Sequence, residues 1–292
     1  MSFSKDIKEE LSKISNLANK ELVKSELVGY LITNNVMIKN GKIKYSTESE
    51  YNINRFSKLL NNTNIHKYNI DVQGKVFSIT ISQDLNLVEI IPIDDKLYIQ
   101  GEMNTFCNTE ILQKAFVRGS FLGGGSINNP EKKYHLEIIY NNSENMNFVE
   151  SILKKYDIKM KKLKNTLYLK DGEEISKFLA FIGANNAVLK FEEVRVIRDM
   201  RNNVNRLVNC ETANLNKTIN AALKQIEDIK YIKKMGKFGE LSESLQEVAN
   251  LRVENPDISL VELGKMLKTP VGKSGVNYRL KTISNYADEL RK

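Results

Sequence analysis

Cysteine and histidine are scarce in this chain of 292 residues, which limits the kinds of site it can contain. The two cysteines, Cys107 and Cys210, lie far apart and form no CxxC pair, so we expect reduced thiols in a cytosolic protein. The two histidines, His66 and His135, have no second ligand at metal-binding spacing, which argues against a structural zinc site. The sequence therefore predicts no metal and no cofactor.

Long apolar runs are also missing. No stretch approaches the roughly 20 consecutive apolar residues that a membrane-spanning helix needs. The first residues, MSFSKDIKEELSKI, alternate charged and apolar side chains and lack the apolar centre of a signal peptide. We therefore expect a cytoplasmic protein with no membrane partner.

Positive charge is in excess. The chain has 44 Lys and Arg against 36 Asp and Glu, which gives a formal net charge of +8. This bias favours anionic partners such as double-stranded DNA, although many basic proteins bind no nucleic acid.

Two similar segments lie 90 positions apart. They are LVGYLITNN (Leu27–Asn35) and VRGSFLGGG (Val117–Gly125), and each has glycine at its third place, Gly29 and Gly119. Glycine inside a helix costs about 1 kcal/mol relative to alanine, so it usually marks a close approach of another element. The pattern predicts two pseudo-repeats whose helices meet at these glycines about a local twofold axis. The alternative is two unrelated core helices with incidental glycines.

The predicted elements divide the chain into an α+β part and an all-α part. Helices and short alternating strands follow each glycine-containing segment in a similar order, and a long, almost wholly helical stretch comes next. Gly236 and Gly239 then break the helical pattern. The boundaries we predict are residues 1–200 for the α+β domain, with repeats of about 1–105 and 106–200, residues 201–235 for a helical linker, and residues 236–292 for a small all-α domain.

The all-α part has the pattern of a helix-turn-helix. Ser259 and Glu262 form a capping-box signature that begins a short helix, which ends before Pro270. A third helix from about Ser274 to Leu290 follows. Its apolar face is formed by Val276, Leu280 and Ile283, at helical spacing.

The opposite face of the third helix carries residue types suited to a major groove. Asparagine can bond an adenine edge, arginine and lysine can read guanine or hold phosphate, and serine can do either. Between Leu263 and Ala287 there are five basic residues and no acid. The alternative is a three-helix bundle whose basic face is only solvated, or binds protein. The predicted DNA-binding residues are Ser259, Lys265, Lys268, Lys273, Ser274, Asn277, Tyr278, Arg279 and Lys281.

Three longer stretches resemble one bacterial family. AFVRGSFLGGGSINNPEKKYHLEI (Ala115–Ile138), NRLVNCETANLNKT (Asn205–Thr218) and LRVENPDISLVELGKML (Leu251–Leu267) are similar to the WhiA family. The match extends from SFSKDIKEEL (Ser2–Leu11) to the C-terminus, and the two repeated segments resemble the LAGLIDADG motif of homing endonucleases.

The resemblance implies a fold and a role. The fold is a LAGLIDADG-like domain of two αββαββα repeats, joined to a sigma-factor-like helix-turn-helix. The role is that of a nucleoid-associated transcriptional regulator in cell division, chromosome segregation and, in some lineages, sporulation. The implied partners are DNA and other regulatory or division proteins.

The chain departs from active LAGLIDADG endonucleases at the metal-binding positions. In those enzymes an acid near the end of each motif helix binds a divalent cation, because Mg²⁺ favours charged oxygen ligands. The matching positions here are Asn34 and Gly124, and no Asp or Glu lies within Leu27–Lys39 or Ala115–Asn129. We therefore expect a non-catalytic protein. The glycines of Gly123–Gly125 lack the following lysine and the strand-to-helix context of a phosphate-binding P-loop.

The sequence allows two roles for the first domain. It is either a non-cleaving DNA platform or a protein-binding or dimerising module. The six lysines of Lys154–Lys164 favour a platform if they face DNA, and otherwise form a solvated hairpin face.

The polar side chains of Asn205–Thr218 contact DNA or the other domain, or solvate a helix. Two further alternatives are a residual Mg²⁺-dependent endonuclease and a protein-interaction scaffold with secondary DNA contact.

Overall fold

A computed structural model of the protein describes residues 2–83, 87, 89–100 and 107–291. The chain divides into two compact units, the first ending at Asp199 and the second beginning at Met200. Each unit has a hydrophobic core of its own.

The first unit contains two successive sets of elements that follow a similar order. The first set is α1 (Phe3–Ser12), α2 (Lys20–Leu31), β1 (Val36–Lys39), β2 (Lys42–Thr47), α3 (Glu50–Asn62), β3 (Tyr68–Gln73), β4 (Val76–Ser82), β5 (Ile90–Ile93) and β6 (Lys96–Ile99). The second set is α4 (Glu110–Gly124), β7 (Gly125–Ile127), β8 (Leu136–Ile139), α5 (Ser143–Lys155), β9 (Lys161–Leu163), β10 (Thr166–Leu169) and α6 (Gly172–Ile182). The long helix α7 (Asn185–Lys234) follows and continues into the second unit.

Local side-chain caps fix where the helices of the first unit begin. The Asn19 side chain accepts from two backbone N–H groups at the start of α2, and the Ser49 hydroxyl accepts from the Asn52 N–H at the start of α3. Thr109 caps α4 and Asp171 caps α6 in the same manner. These residues satisfy N–H groups that have no partner within the helix, so short-range sequence determines these boundaries.

Two four-stranded antiparallel sheets have equivalent strand orders. The first is β1-β2-β4-β3 and the second is β7-β8-β10-β9. The turn between β1 and β2 consists of Asn40 and Gly41, both at positive φ (53° and 68°), as a tight hairpin of this type requires. Equivalent strand order in the two sheets supports the pseudo-repeat predicted from the 90-residue offset.

The structure adds strands that the sequence pattern did not predict. The short strands β1 and β7 are the next elements after the two motif helices. The sequence pattern also predicts a strand over Tyr134–Tyr140, whereas β8 begins at Leu136. In the described part of the first repeat, the β5–β6 hairpin stands between β4 and α4, where the αββαββα order would place a helix. Residues 101–106, which complete the predicted first repeat, lie outside the described residues.

The helices α2 and α4 pack backbone against backbone at their glycines. A Cβ atom on Gly29 would lie 2.1 Å from the carbonyl oxygen of Phe116, and one on Gly119 would lie 2.0 Å from that of Glu26. Because the two contacts are related by the same offset of 90 residues, they form a pseudo-twofold pair. The spacing of the two glycines in the sequence thus predicted a real helix contact.

A buried ion cluster lies beside this contact. The Glu26 carboxylate accepts from Arg55 Nε at 2.7 Å and from Arg118 Nη2 at 2.9 Å, and the Asn16 amide donates to it at 3.1 Å. Burial raises the pKa of Glu26, but the charge of Arg118 and the hydrogen bond and charge of Arg55 outweigh it, so the pKa is lowered overall. The cluster joins α2, α3 and α4 through ionised groups that are all buried.

The second unit is a small helical domain. Its elements after α7 are a 3-10 turn (Phe238–Glu240), α8 (Glu243–Glu254), α9 (Leu260–Lys265) and α10 (Lys273–Leu290). Val276, Leu280 and Ile283 are at most 1% exposed, as the apolar stripe predicted. The predicted linker, residues 201–235, is helical, but its last turns contribute Ile229 and Ile232 to the core of this unit.

Candidate nucleic-acid interface

The helices α9 and α10 form the helix-turn-helix. At the start of α9 the Ser259 hydroxyl accepts from the Glu262 N–H at 3.2 Å, while the Glu262 carboxylate accepts from the Ser259 N–H at 3.0 Å. This reciprocal pair is the capping box that the sequence predicted, and it satisfies two N–H groups at the helix end.

The turn between the two helices depends on a glycine. The Val271 N–H donates to the Gly264 carbonyl at 3.1 Å, and a Cβ on Gly264 would lie 2.1 Å from the Val271 carbonyl oxygen. No side chain fits between these backbone segments. Gly264 therefore sets how closely the chain returns to α9 before α10 begins.

Two side chains of α8 hold the loops around α9. Arg252 is 2% exposed, and its Nη1 donates to the carbonyl oxygens of Pro256 at 3.2 Å and Ile258 at 3.0 Å. The Glu247 carboxylate accepts from the Lys268 N–H at 2.6 Å. Nothing in the sequence pattern pointed to Arg252 or Glu247, and Gly264 was not among the predicted site residues. Gly264 was detectable, because the argument applied to Gly29 holds for any glycine within a helix.

The exposed face of α10 carries most of the predicted DNA-binding side chains. Lys273, Ser274, Asn277 and Lys281 are exposed, and Tyr278 is 73% exposed. The N-terminal half of α10 thus presents hydrogen-bonding and basic groups to solvent, on the side opposite its buried stripe.

The remaining predicted residues lie around this face. Lys265 on α9 and Lys268 after it are exposed, and Ser259 is exposed with its hydroxyl oxygen used in the cap. Arg279 is half-buried at the margin of the apolar stripe. Over the described residues, none of the five basic side chains Lys265, Lys268, Lys273, Arg279 and Lys281 forms an ion pair within 4.0 Å. Their charge is therefore available to an external anion.

The ends of the two motif helices meet in the first unit. Asn34 follows α2 and is exposed, and Gly124 ends α4 and is buried. The Asn34 N–H donates to the Ile139 carbonyl at 3.1 Å. A Cβ on Gly124 would lie 2.5 Å from the same Ile139 oxygen and 3.0 Å from Asn34 Oδ1. The space that an acidic side chain at position 124 would need is filled by the chain itself.

The donor chemistry at this junction does not suit a divalent cation. The Asn35 amide donates to the Gly123 carbonyl at 2.7 Å. The side chain next to Asn34 therefore links the two helix ends through a hydrogen bond. In the parts of the chain that the structure describes, no group of three His, Cys, Asp or Glu residues could hold a metal. A site of this composition offers Mg²⁺ an amide and backbone oxygens but no carboxylate.

The outer face of the first sheet carries a small basic cluster. Lys39 lies opposite Lys42 in the ladder, and Lys42 lies opposite Ser82. Lys44 lies opposite both Met37 and Thr80. Because residues directly opposite share a face, these three exposed lysines lie on the same side, near the β1–β2 turn.

The lysine-rich stretch of the second repeat is largely occupied within the domain. Lys154 and Lys162 both form ion pairs with Glu150, at 3.0 and 2.8 Å, and Lys159 pairs with Asp157 at 2.9 Å. At least half of the six lysines therefore have carboxylate partners, and the stretch resembles a solvated hairpin face more than a surface kept free for phosphate.

Within the described residues, no helix has the length and apolar character required to cross a bilayer.

Comparisons with known proteins match both units. A family model described as the WhiA LAGLIDADG-like domain matches residues 113–201, and one described as the WhiA C-terminal HTH domain matches residues 204–287. The solved structure of full-length WhiA from Thermatoga maritima is similar with a TM-score of 0.58 and 29% identity, over 99% of both chains. A solved structure of the N-terminal LAGLIDADG domain of a WhiA protein gives a TM-score of 0.51 and 28% identity, over 62% of this chain and 90% of that domain.

The fold and the site define a protein in which an α+β LAGLIDADG-like domain precedes an all-helical helix-turn-helix domain. A relative from Clostridium tetani named "Probable cell division protein WhiA" is 38% identical over 100% of this chain and 99% of its own length. One of the same name from Clostridium botulinum is 53% identical over 61% of this chain, an alignment that spans 58% of that relative. The chain belongs to the WhiA family.

Proposed function

We propose that the protein is a non-catalytic DNA-binding regulator that acts in cell division, with the N-terminal half of α10 entering a major groove. The cell-division role follows the names of its relatives, and roles in transcription, chromosome segregation and sporulation are extensions of the same proposal. Association with the nucleoid and contact with other division proteins would accompany this role.

The observation that carries the proposal is the exposed face of α10. Lys273, Ser274, Asn277, Tyr278 and Lys281 project from it, and its basic groups have no internal counter-ions among the described residues. Lysine contacts to phosphate supply much of the affinity of such modules, and asparagine and serine can contact base edges.

Substitution on this face tests the proposal. We expect Lys281→Ala in the full chain to weaken binding to a duplex containing a target site by about 1–3 kcal/mol, roughly 5- to 150-fold. For Arg279→Ala we expect a loss of affinity at the lower end of this range, because this side chain is half-buried. Lys230→Ala, at an exposed position on α7, is the matched control. If both α10 variants bound the duplex with unchanged affinity in fluorescence anisotropy, this face would be excluded as the DNA-binding surface.

The non-catalytic part of the proposal rests on the motif ends. Asn34 and Gly124 replace the two acids, and the backbone of Ile139 occupies the space next to Gly124. A metal-dependent strand scission needs charged ligands beside both scissile phosphates, and neither motif end supplies one.

A second contact with DNA, through the first sheet, is favoured by the cluster of Lys39, Lys42 and Lys44. We expect replacement of all three by glutamine to lower duplex affinity and to reduce the slope of log affinity against log salt by up to about 3, one for each lost phosphate contact. An unchanged salt slope would instead favour the first unit as a protein-binding module.

A further inference from the structure

A cavity of about 330 Å³ lies within the second unit. It is formed by α7 on one side and by the starts of α9 and α10 on the other. Its apolar wall consists of Ala221 and Ala222 from α7 and Leu260 and Val261 from α9. A cavity of about 150 Å³ accommodates benzene, so this one has room for a larger organic group.

Arg252 lines this cavity as a buried cation without a counter-ion. It is 2% exposed, and within the described residues no carboxylate forms an ion pair with it. Its Nη1 donates to loop carbonyls, while its Nε–H is buried and has no hydrogen-bond partner among the residues that the structure describes. Burial lowers the pKa of Arg252, in keeping with an environment that disfavours its charge. A buried charge is costly unless an opposite charge or hydrogen bonds compensate it.

Further polar groups around the cavity also lack partners. The Gln225 side-chain oxygen is buried and accepts no hydrogen bond from the described part of the chain. Lys217 and Lys273 line the same cavity, and neither forms an ion pair with a described residue. Among the described residues, three cations and no acid thus line a space with an apolar wall.

We propose that this cavity binds a small organic anion, with an acidic group toward Arg252, Lys217 and Lys273 and an apolar body against the alanines of α7. Resting on the proposed function, we further infer that this ligand opposes DNA binding. Lys273, Asn277 and Ser259 line the cavity and also belong to the candidate DNA-binding face. A ligand that occupies them competes with the duplex for the same side chains.

Methyl NMR of the full-length protein, labelled at its alanine methyl groups, tests binding directly. The probe is 1-naphthyl phosphate, and the control is inorganic phosphate. We expect saturable shifts of the Ala221 and Ala222 signals with the naphthyl compound at concentrations where inorganic phosphate has no effect. Equal shifts with inorganic phosphate, or no shifts with the probe, would each overturn the proposal.

Matched variants on α7 separate the cavity from the helix surface. Ala221→Phe, at an exposed position, is expected to fill the cavity and abolish probe binding, while Ala213→Phe, outside the cavity on the same helix, leaves it unchanged. Lys217→Gln is expected to lower the affinity for the probe about fivefold, whereas Lys224→Gln leaves it unchanged. Probe binding that survives Ala221→Phe contradicts the assignment of the site.

Competition with DNA tests the inferred regulation. We expect saturating 1-naphthyl phosphate to raise the apparent Kd of the wild type for duplex and to leave that of Ala221→Phe unchanged. If the duplex binds without probe but the probe never shifts the alanine signals, only this inference fails. If the probe binds and the duplex does not, the proposed function fails instead.

Discussion

Gly29 and Gly119 illustrate what a single missing side chain allows in this protein. Each lets the carbonyl of the facing helix approach to a distance that a Cβ atom would forbid. The helix propensity lost at each glycine, about 1 kcal/mol, is small beside the packing that the close approach permits.

Substitution of Gly29 is therefore expected to be strongly destabilising. A Cβ in Gly29→Ala would meet backbone, which cannot rotate away as a side chain can, so α2 and α4 must separate. We expect a loss of about 3 kcal/mol or more in the free energy of unfolding, measured by urea denaturation with circular dichroism. Gly239→Ala is the control, because nothing lies within 4 Å of the added methyl group there. Equal stability of the two variants would contradict the close packing.

The Glu26 carboxylate forms ion pairs with two buried arginines, and its loss would leave both positive charges uncompensated. We expect Glu26→Gln to destabilise the protein by about 3–5 kcal/mol at pH 7, as for other buried pairs deprived of one partner. Urea denaturation measures the change. Glu9→Gln, in an exposed pair with Lys13, is a suitable control and should destabilise the protein far less.

The pH dependence of the same variant has a defined sign. The folded pKa of Glu26 lies below its ordinary value of 4.5, so its ionisation stabilises the fold above that value. This contribution is lost as pH falls from about 4.5 through the folded pKa. The stability difference between wild type and Glu26→Gln should therefore narrow on acidification over this range. A difference that stays constant or widens would show that the carboxylate is not held ionised.

The helix-turn-helix is an element whose shape depends on a backbone contact. The capping box of Ser259 and Glu262 was readable from the sequence, because both partners lie within one turn of helix. The approach of Val271 to Gly264 and the support of the loops by Arg252 were not, since they join residues whose proximity only the folded unit creates.

Replacement of Gly264 is expected to disturb this element selectively. The added Cβ of Gly264→Ala would lie 2.1 Å from the Val271 carbonyl oxygen, so the turn must open and α10 must shift. We expect duplex affinity to fall at least about tenfold, with a loss of about 1–3 kcal/mol in stability. Gly272→Ala, with open space around its Cβ, should retain both properties in anisotropy and denaturation assays. Wild-type affinity in Gly264→Ala would exclude a rigid turn as the basis of recognition.

Strands were harder to anticipate than helices. Alternation over seven residues predicts a strand at Val76–Ser82, and these are the bounds of β4 in the structure. The strands β1 and β7 have four and three residues and are the next elements after the motif helices. Such short segments carry too little periodicity to be identified alone, and their strand conformation comes from pairing with β2 and β8.

At the scale of the whole molecule, the proposal that Asn34 and Gly124 stand in place of the motif acids predicts the absence of nuclease activity. We expect no cleavage of supercoiled plasmid by the purified protein with Mg²⁺ or Mn²⁺, under conditions in which an active LAGLIDADG endonuclease cleaves its target. Gly124→Asp should not restore activity, because its Cβ would lie 2.5 Å from the Ile139 carbonyl oxygen. If a metal-dependent nuclease activity co-purified with the wild-type protein through successive columns, the non-catalytic proposal would be refuted.

The sequence by itself determined the α+β and all-α division, the repeat offset, the capped helix and the stripe of Val276, Leu280 and Ile283, because caps and periodicity act over a few residues. Only the tertiary structure decided that Ile139 fills the space beside Gly124, that the last turns of the predicted linker belong to the second core, and that Arg252 is a buried cation. Burial and steric exclusion depend on groups distant in sequence, whose proximity exists only after the chain has folded.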